Sequence, residues 1–271
     1  MDQPMIAFSL LDGAGRPIAE RASTQSFYAA STIKLAVMLA AALEVDAGRL
    51  RLEQTLRCRH SFPSSIAGAP HFTVPLDDRD SEFPPDDAEA TVAELIEMMI
   101  TRSSNEATNL LVGRVGLRRV QAAIARCCTA ETTMRRLIGD AEAADAGLTN
   151  TVTAADLALL MHSIATGRIT GARTTEFMRG TLGRQRHVRI AAELPPGTDW
   201  GSKAGNVDGV EHDVAFIGHP GSSSARYLAV CARGYDEEQG REAIRALTAM
   251  FRSLDQPGMG RSVRICSARP T

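Results

Sequence analysis

Residues 28–48 read YAASTIKLAVMLAAALEVDAG, and this stretch decides the fold. Within it, residues 32–46 are apolar or alanine on almost every side of a helix, and Gly48 stands where helices commonly end. A helix that is apolar all round has to be buried, so the sequence predicts a helix in the centre of the protein. Ser31 and Lys34 lie three residues apart at the first turn of this helix and share one of its faces.

The segments around the central helix show strand patterns near both ends of the chain and helix patterns between them. Residues 5–11 and 18–21, joined by a turn that contains glycine and proline, predict a β-hairpin. Helical spacing of apolar residues predicts helices at 91–100, 104–114, 117–127, 153–166 and 174–183. Strand patterns follow at 198–204, 210–218 and 226–233, before an amphipathic helix at 236–254.

This order of elements predicts an α+β fold with two lobes. Residues 1–27 and 198–271 are expected to form one lobe, an antiparallel sheet built from both termini with flanking helices. Residues 28–197 are expected to form an inserted all-helical lobe that carries the central helix. A cleft between two lobes is the usual place for a functional site.

The composition argues against several classes of function. The 271 residues are 44% hydrophobic and 23% charged, with a net charge of -2, and the arginines are scattered, so neither a nucleic acid nor a membrane is an expected partner. We expect a small-molecule substrate and a monomer or homodimer. No metal-ligand cluster or nucleotide-binding glycine pattern occurs, so we expect no cofactor.

The cysteines and the start of the chain favour a cytoplasmic location. The sequence opens without the basic and apolar segments of an export signal. The cysteines are odd in number and lack zinc-ligand spacing, which favours free thiols in a reducing compartment. They are Cys58, Cys127, Cys128, Cys231 and Cys266.

Lysine is almost absent, with two lysines against 28 arginines. The two are Lys34, in a Ser-x-x-Lys pattern, and Lys203, in a Lys-Ala-Gly pattern. Arginine stays charged in proteins, whereas lysine can titrate near neutral pH, so one interpretation is that lysine is kept where a proton must move. The alternative is GC-biased coding that replaced lysine by arginine and left two by chance.

Ser31 and Lys34 have the spacing of a nucleophile and its base. A serine hydroxyl is a weak nucleophile until a neighbouring base takes its proton, and a desolvated lysine beside a second cation can serve as that base. The backbone N–H of Ser31 is also placed to stabilise an oxyanion at the start of a helix. The alternative interpretation is a serine N-cap followed by an ordinary lysine.

Two further patterns can also be interpreted either as catalytic or as purely structural. Residues 103–105, Ser-Ser-Asn, stand at a helix start, where Ser103 and Glu106 have the spacing of a capping box. Residues 203–205, Lys-Ala-Gly, lie on a predicted strand, where the glycine allows a substrate backbone to approach. The structural alternative for Lys203 is an exposed edge lysine that discourages strand pairing.

In the order Ser-x-x-Lys, Ser-x-Asn, Lys-x-Gly, the three patterns resemble those of the serine β-lactamases and penicillin-binding proteins, most closely the class A β-lactamases. The resemblance extends along most of the chain. It implies a serine hydrolase that forms an acyl-enzyme on Ser31 from an amide, lactam or ester, with Lys34 as general base. Ser103 would relay a proton to the leaving nitrogen, beside the positive field of Lys203. The implied substrate-binding residues are Asn105, Ala204, Gly205 and Asn206, the last supplying the second oxyanion N–H.

The chain departs from the class A pattern in the loop that activates the deacylating water. The family carries a Glu-x-x-x-Asn pair there, and residues 136–145 have none. Asp140, Glu142 and Asp145 are the acidic candidates, with Glu142 as the possible deacylation residue; a solvated acidic loop is the alternative. The missing pair implies slow deacylation, and it keeps open an esterase, a peptidase, a biosynthetic acyltransferase or a non-catalytic ligand-binding protein.

Two other departures concern substrate and surface. Ala204 replaces a hydroxyl residue that in the family helps to bind a substrate carboxylate, a role that Ser202 or Asn206 could take over. The helix that precedes the first strand in secreted relatives has no counterpart in this sequence. We therefore expect the C-terminal helix, or a second subunit, to cover that face of the sheet.

Overall fold

The computed structural model describes residues 3–127 and 131–254. In chain order its elements are β1 (Met5–Leu11), β2 (Pro17–Arg21), β3 (Phe27–Tyr28), α1 (Lys34–Asp46), β4 (Thr55–Arg57), β5 (Ser61–Phe62), β6 (Phe72–Thr73), β7 (Glu89–Thr91), α2 (Val92–Glu97), α3 (Asn105–Val115), α4 (Leu117–Arg126), α5 (Ala141–Asp145), β8 (Thr151–Val152), α6 (Ala154–Thr166), α7 (Ala172–Leu182), β9 (Trp200–Val207), β10 (Val210–Ile217), β11 (Arg226–Arg233) and α8 (Glu237–Leu254). A 3-10 turn at Ala30–Ile33 leads into α1, and a π turn at Met98–Arg102 follows α2.

The main sheet joins the two ends of the chain. Its five strands lie in the order β2-β1-β11-β10-β9, and every neighbouring pair is antiparallel. The predicted α+β fold with an antiparallel sheet is therefore confirmed. The division into lobes at residues 27/28 and 197/198 stays a prediction. The expectation that residues 28–197 are all-helical is wrong, because this segment contains the short strands β4 to β8, which are too short to show an alternating pattern.

Alternation along β11 gives the sheet two apolar faces. Tyr227, Ala229 and Cys231 belong to the core that contains α1 and α6, whereas Leu228 and Val230 belong to a second cluster. That second cluster includes Ile244 and Phe251 of α8, and the rings of Phe8 and Phe251 meet edge to face at 5.1 Å. Helix α8 thus packs on the face opposite the main core, which is one of the two expected arrangements.

Helix α1 is buried along most of its length, as its sequence predicts. Residues 34–42 are all buried, and α1 packs against α3, α4, α6 and α7. The helix ends where Gly48 takes a left-handed conformation with φ 68°. Each fully buried Leu, Val or Met side chain stabilises the fold by about 1.5–3 kcal/mol, so α1 is a rigid base for the turn that precedes it.

Most predicted elements are present, with boundaries shifted by a few residues. Strand β9 runs three residues beyond the predicted end at 204. The helix predicted at 91–100 begins at Val92 and becomes a π turn after residue 97. Helix α5 was not predicted, because five residues are too few to show a helical period. Cys58 and Cys231 are free and buried, and Cys127 is also buried, whereas Cys128 and Cys266 lie outside the described residues.

Candidate active site

Ser31 lies on the tight turn that enters α1. The residue before it, Ala30, has φ 43°, a left-handed conformation that costs a non-glycine residue on the order of 1–3 kcal/mol. Thr32 fixes the turn, because its hydroxyl donates to Ala29 O at 2.6 Å. No side chain caps this turn or α1, so the interpretation of Ser31 as an N-cap is wrong. The hydroxyl of Ser31 is left for other contacts.

Lys34 is completely buried beneath Ser31. Its Nζ lies 3.0 Å from Ser31 Oγ and 3.1 Å from Ser103 Oγ. It also contacts Ser103 O at 2.5 Å and Asn105 Oδ1 at 2.7 Å. Burial, and after it the positive charge of Lys203, lower the pKa of Lys34 well below the usual value for lysine. The amine is therefore within reach of the Ser31 hydroxyl and able to lose its proton.

Ser103 faces the same amine because the chain turns sharply at this point. It ends the π turn in a left-handed conformation with φ 65°. The N-cap of α3 is its neighbour Ser104, whose hydroxyl accepts from the backbone N–H of Ala107. The capping-box interpretation of Ser103 with Glu106 is therefore wrong. The Ser103 hydroxyl lies between Lys34 and Lys203 instead.

Lys203 is also buried, although β9 is an edge strand of the sheet. Its Nζ donates to Ser103 Oγ at 3.2 Å and to Ala204 O at 2.6 Å. Burial lowers its pKa to about 7, against the opposing charge of Asp213 and with the help of Arg189. The alternative of an exposed edge lysine is therefore wrong.

Gly205 brings strand β9 against the turn that carries Ser31. A Cβ at this position would lie 2.8 Å from the backbone nitrogens of both Ser31 and Thr32, closer than such atoms approach. Only glycine fits here without a shift of the backbone. The contact places the Lys-Ala-Gly segment and the next residue, Asn206, beside the N–H of Ser31. Ala204 is buried and Asn206 is exposed.

The amide of Asn105 is held at both ends. Its Oδ1 accepts from Lys34, and its Nδ2 donates to Asp78 O at 2.8 Å. Ser31, Asn105 and Asn206 line one cavity of about 290 Å³. All the residues predicted from the three sequence patterns therefore meet at one place, where the start of α1, the start of α3 and strand β9 converge.

The possible deacylation residue does not join this group. Glu142 is exposed on α5, and neither it nor Asp145 lines the cavity. Asp140 does line the cavity, but it caps α5 and accepts from Ser64 Oγ at 2.8 Å and Ser65 N at 2.6 Å. Burial acts to raise the pKa of Asp140, and these hydrogen bonds outweigh it, so the pKa lies below the usual value. An oxygen held in this way is a weak base.

Sequence reasoning missed a buried charged group behind the site. Arg189 donates to Glu211 Oε1 at 2.6 Å with both side chains buried, and Asp213 accepts from the backbone N–H groups of residues 189 and 190. Burial raises the pKa of Asp213 to about 6. The run Glu-His-Asp at 211–213, on a strand otherwise predicted as apolar, was the available signal. His212 and Asp213 bind different backbone partners, as expected for adjacent strand residues.

Three features together define a class of protein. They are a buried lysine beside a serine at the start of a buried helix, a second serine between two lysine amines, and a strand glycine that packs against the backbone of the first serine. This class is the serine hydrolases of the β-lactamase and penicillin-binding type. The chain belongs to the beta-lactamase enzyme family, whose family model matches residues 5–252.

Solved structures share the fold of this chain. A beta-lactamase from Sphaerobacter thermophilus is 26% identical, with a TM-score of 0.77 over 93% of this chain and 92% of that chain. PBP-A is 24% identical, with a TM-score of 0.75 over 94% of this chain and 91% of that chain. A beta-lactamase from Xanthomonas campestris is 22% identical, with a TM-score of 0.76 over 93% and 92%. A search of curated proteins found no match.

Two kinds of feature are absent from residues 3–127 and 131–254. No helix in these ranges combines the length and the apolar character needed to cross a bilayer. No group of three or more His, Cys, Asp or Glu side chains in the same ranges is arranged to hold a metal ion.

Proposed function

We propose that this protein is a serine hydrolase that forms an acyl-enzyme on Ser31 with an amide, lactam or ester. Lys34 takes the proton of Ser31 as Oγ attacks the carbonyl carbon. The backbone N–H groups of Ser31 and Asn206 stabilise the oxyanion. The tetrahedral intermediate then expels the leaving group, which takes a proton from Ser103 Oγ. Ser103 regains a proton from the neighbouring amine of Lys34.

The observation that carries the proposal is the position of Lys34. The amine is 0% exposed, lies 3.0 Å from Ser31 Oγ, and has a pKa lowered by burial and by the second lysine. A general base needs both hydrogen-bond reach and a pKa near the working pH. A protein that only bound a ligand would have no need to bury two lysines in contact with one serine.

The fate of the acyl group follows from the acidic residues near the cavity. Asp140 is committed to two serines, Glu142 lies outside the cavity, and Asp78 is an exposed residue of its lining. We therefore propose slow hydrolysis of the acyl-enzyme, which leaves time for transfer to an acceptor other than water. A mutant of PBP-A has been solved as an acyl-enzyme with penicillin G, which makes that compound a suitable first probe.

Intact-mass measurement tests the proposal. The protein is mixed separately with penicillin G, a chromogenic cephalosporin and the p-nitrophenyl ester of hexanoic acid. We expect a covalent adduct with at least one of them, long-lived relative to its formation, and none with a Ser31→Ala variant of the same thermal stability. Rapid turnover without accumulation would contradict slow deacylation. No adduct with any of the three from the folded protein would overturn the proposed acyl-enzyme.

A further inference from the structure

A second, larger cavity opens beside the Ser31 cavity and is strongly acidic. It measures about 840 Å³ and shares Asp78, Asn206 and Val207 with the cavity that contains Ser31. No lysine, arginine or histidine is among its described lining residues. Its acidic lining residues are Asp77, Asp78, Asp208, Glu211, Asp236 and Glu237. We call this cavity the acidic groove.

Most of these charges are not neutralised by the protein. Within residues 3–127 and 131–254, Asp77, Asp78, Asp208 and Asp236 form no ion pair, whereas Glu237 pairs with Arg241. All four unpaired aspartates are exposed at the groove. Like charges gathered on the walls of a cleft reinforce one another and raise the local concentration of cations.

Glu211 provides an independent indication of a ligand. It is 3% exposed and lines the groove, and its Oε1 accepts from Arg189 Nε. Its other oxygen, Oε2, is buried without a hydrogen-bond partner in the described part of the chain. Such an oxygen is costly to leave unpaired. Helix α8 packs closely against the same side chain, since a Cβ on Gly240 would lie 2.7 Å from Glu211 Cβ. Glu211 is thus a buried acid in the lining of the groove, beside its exposed aspartates.

The lining of the groove suits an organic cation better than a metal ion. Among the described residues no cluster of acidic and histidine side chains has the arrangement of a metal site. An ammonium or guanidinium group instead offers several N–H donors together with a positive charge. The aromatic ring of Tyr235, which also lines the groove, suits such a cation.

The groove adjoins the Ser31 cavity through Asp78, Asn206 and Val207. Ser103 and Lys203, which serve the leaving group in the proposed reaction, do not line it. We infer, on the basis of the proposed acyl transfer, that the natural substrate carries an ammonium or guanidinium group on its acyl portion, bound in the acidic groove.

Three p-nitrophenyl esters of equal chain length test the inference: those of ω-aminohexanoate, hexanoate and the adipate half-ester. The second-order rate of acylation is read from the burst of p-nitrophenolate. We expect the cationic ester to react about tenfold faster than the neutral one and the anionic ester to react slowest. The differences should shrink at about 1 M salt, where the screening length is about 3 Å.

A matched pair of variants locates the effect. Asp208→Asn with Asp236→Asn removes two charges from the groove and keeps the N-cap of α8, because asparagine caps as well as aspartate. Glu89→Gln with Glu176→Gln removes two charges from exposed sites outside both cavities. The first pair should reduce the preference for the cationic ester to about threefold or less, and the second should leave it unchanged.

The outcomes separate the two proposals. Equal acylation by all three esters would overturn the cationic substrate and leave the acyl-enzyme standing. An equal loss of preference in both double variants would also overturn it, because net charge rather than the groove would then be the cause. No acylation of Ser31 by any ester would instead contradict the acyl-enzyme itself.

Discussion

The turn that carries Ser31 and the segment 136–145 border the same cavity but are built differently. Around Ser31, the amine of Lys34 is fully buried and contacts three side chains, and Gly205 admits a second backbone at close range. In the segment 136–145, the acidic candidates are either committed to hydrogen bonds, as Asp140 is, or exposed, as Glu142 is. This difference supports the proposal that the chain forms an acyl-enzyme more readily than it hydrolyses one.

The largest effect should come from removing the base while keeping the charge. In a Lys34→Arg variant the side chain stays cationic and cannot take the proton of Ser31, so the acylation rate should fall by about 10²–10⁴-fold. The measurement is the burst rate with a neutral p-nitrophenyl ester, with thermal unfolding as the control for folding. A variant that folds and acylates at the normal rate would show that Lys34 is not the base for Ser31.

The next largest effect should come from disturbing the close contact between Gly205 and the turn that carries Ser31. A Gly205→Ala variant puts a methyl group where the backbone nitrogens of Ser31 and Thr32 lie, which should displace the oxyanion donors and slow acylation by about 10–10²-fold. Gly180→Ala is the matched control, since a Cβ there meets only the end of Arg184, at 3.4 Å. Equal rates in the two variants would show that the close approach of β9 has no role in the chemistry.

A smaller effect, visible in the pH profile, should come from Lys203→Met. The rate of acylation should rise with pH as Lys34 loses its proton. Burial, and then the charge of Lys203, lower the pKa of Lys34, and Lys203 carries that charge below its own pKa of about 7. Removing it raises the pKa of Lys34, so the rising limb should move to higher pH and the rate at neutral pH should drop by about tenfold. A limb that moved to lower pH would contradict this coupling.

The smallest effect should come from a substitution in the segment 136–145. Because Glu142 is exposed and outside the cavity, a Glu142→Gln variant should change the lifetime of the acyl-enzyme by less than about twofold. The lifetime is followed by intact mass after excess ester is removed. A much longer lifetime in the variant would restore Glu142 as the deacylating base and would make the two regions equal partners in catalysis.

What the sequence could predict depends on how local each feature is. The buried helix and the Ser31–Lys34 spacing are local, so both can be recognised from the order of the residues alone. The choice between Ser103 and Ser104 as the helix cap could not, since either hydroxyl can cap and only the left-handed turn at Ser103 decides. The acidic groove could not be predicted either, because its walls come from segments far apart in the chain that only the folded sheet brings together.

The burial of the only two lysines also matters for handling the protein. Both ε-amines are closed to solvent, so reagents directed at amines should spare them while the chain is folded. Dyes or beads attached by that chemistry would leave the Ser31 site unmodified. Additional dye incorporated on warming would therefore measure the fraction of unfolded protein, so the two lysines can serve as an intrinsic probe of unfolding.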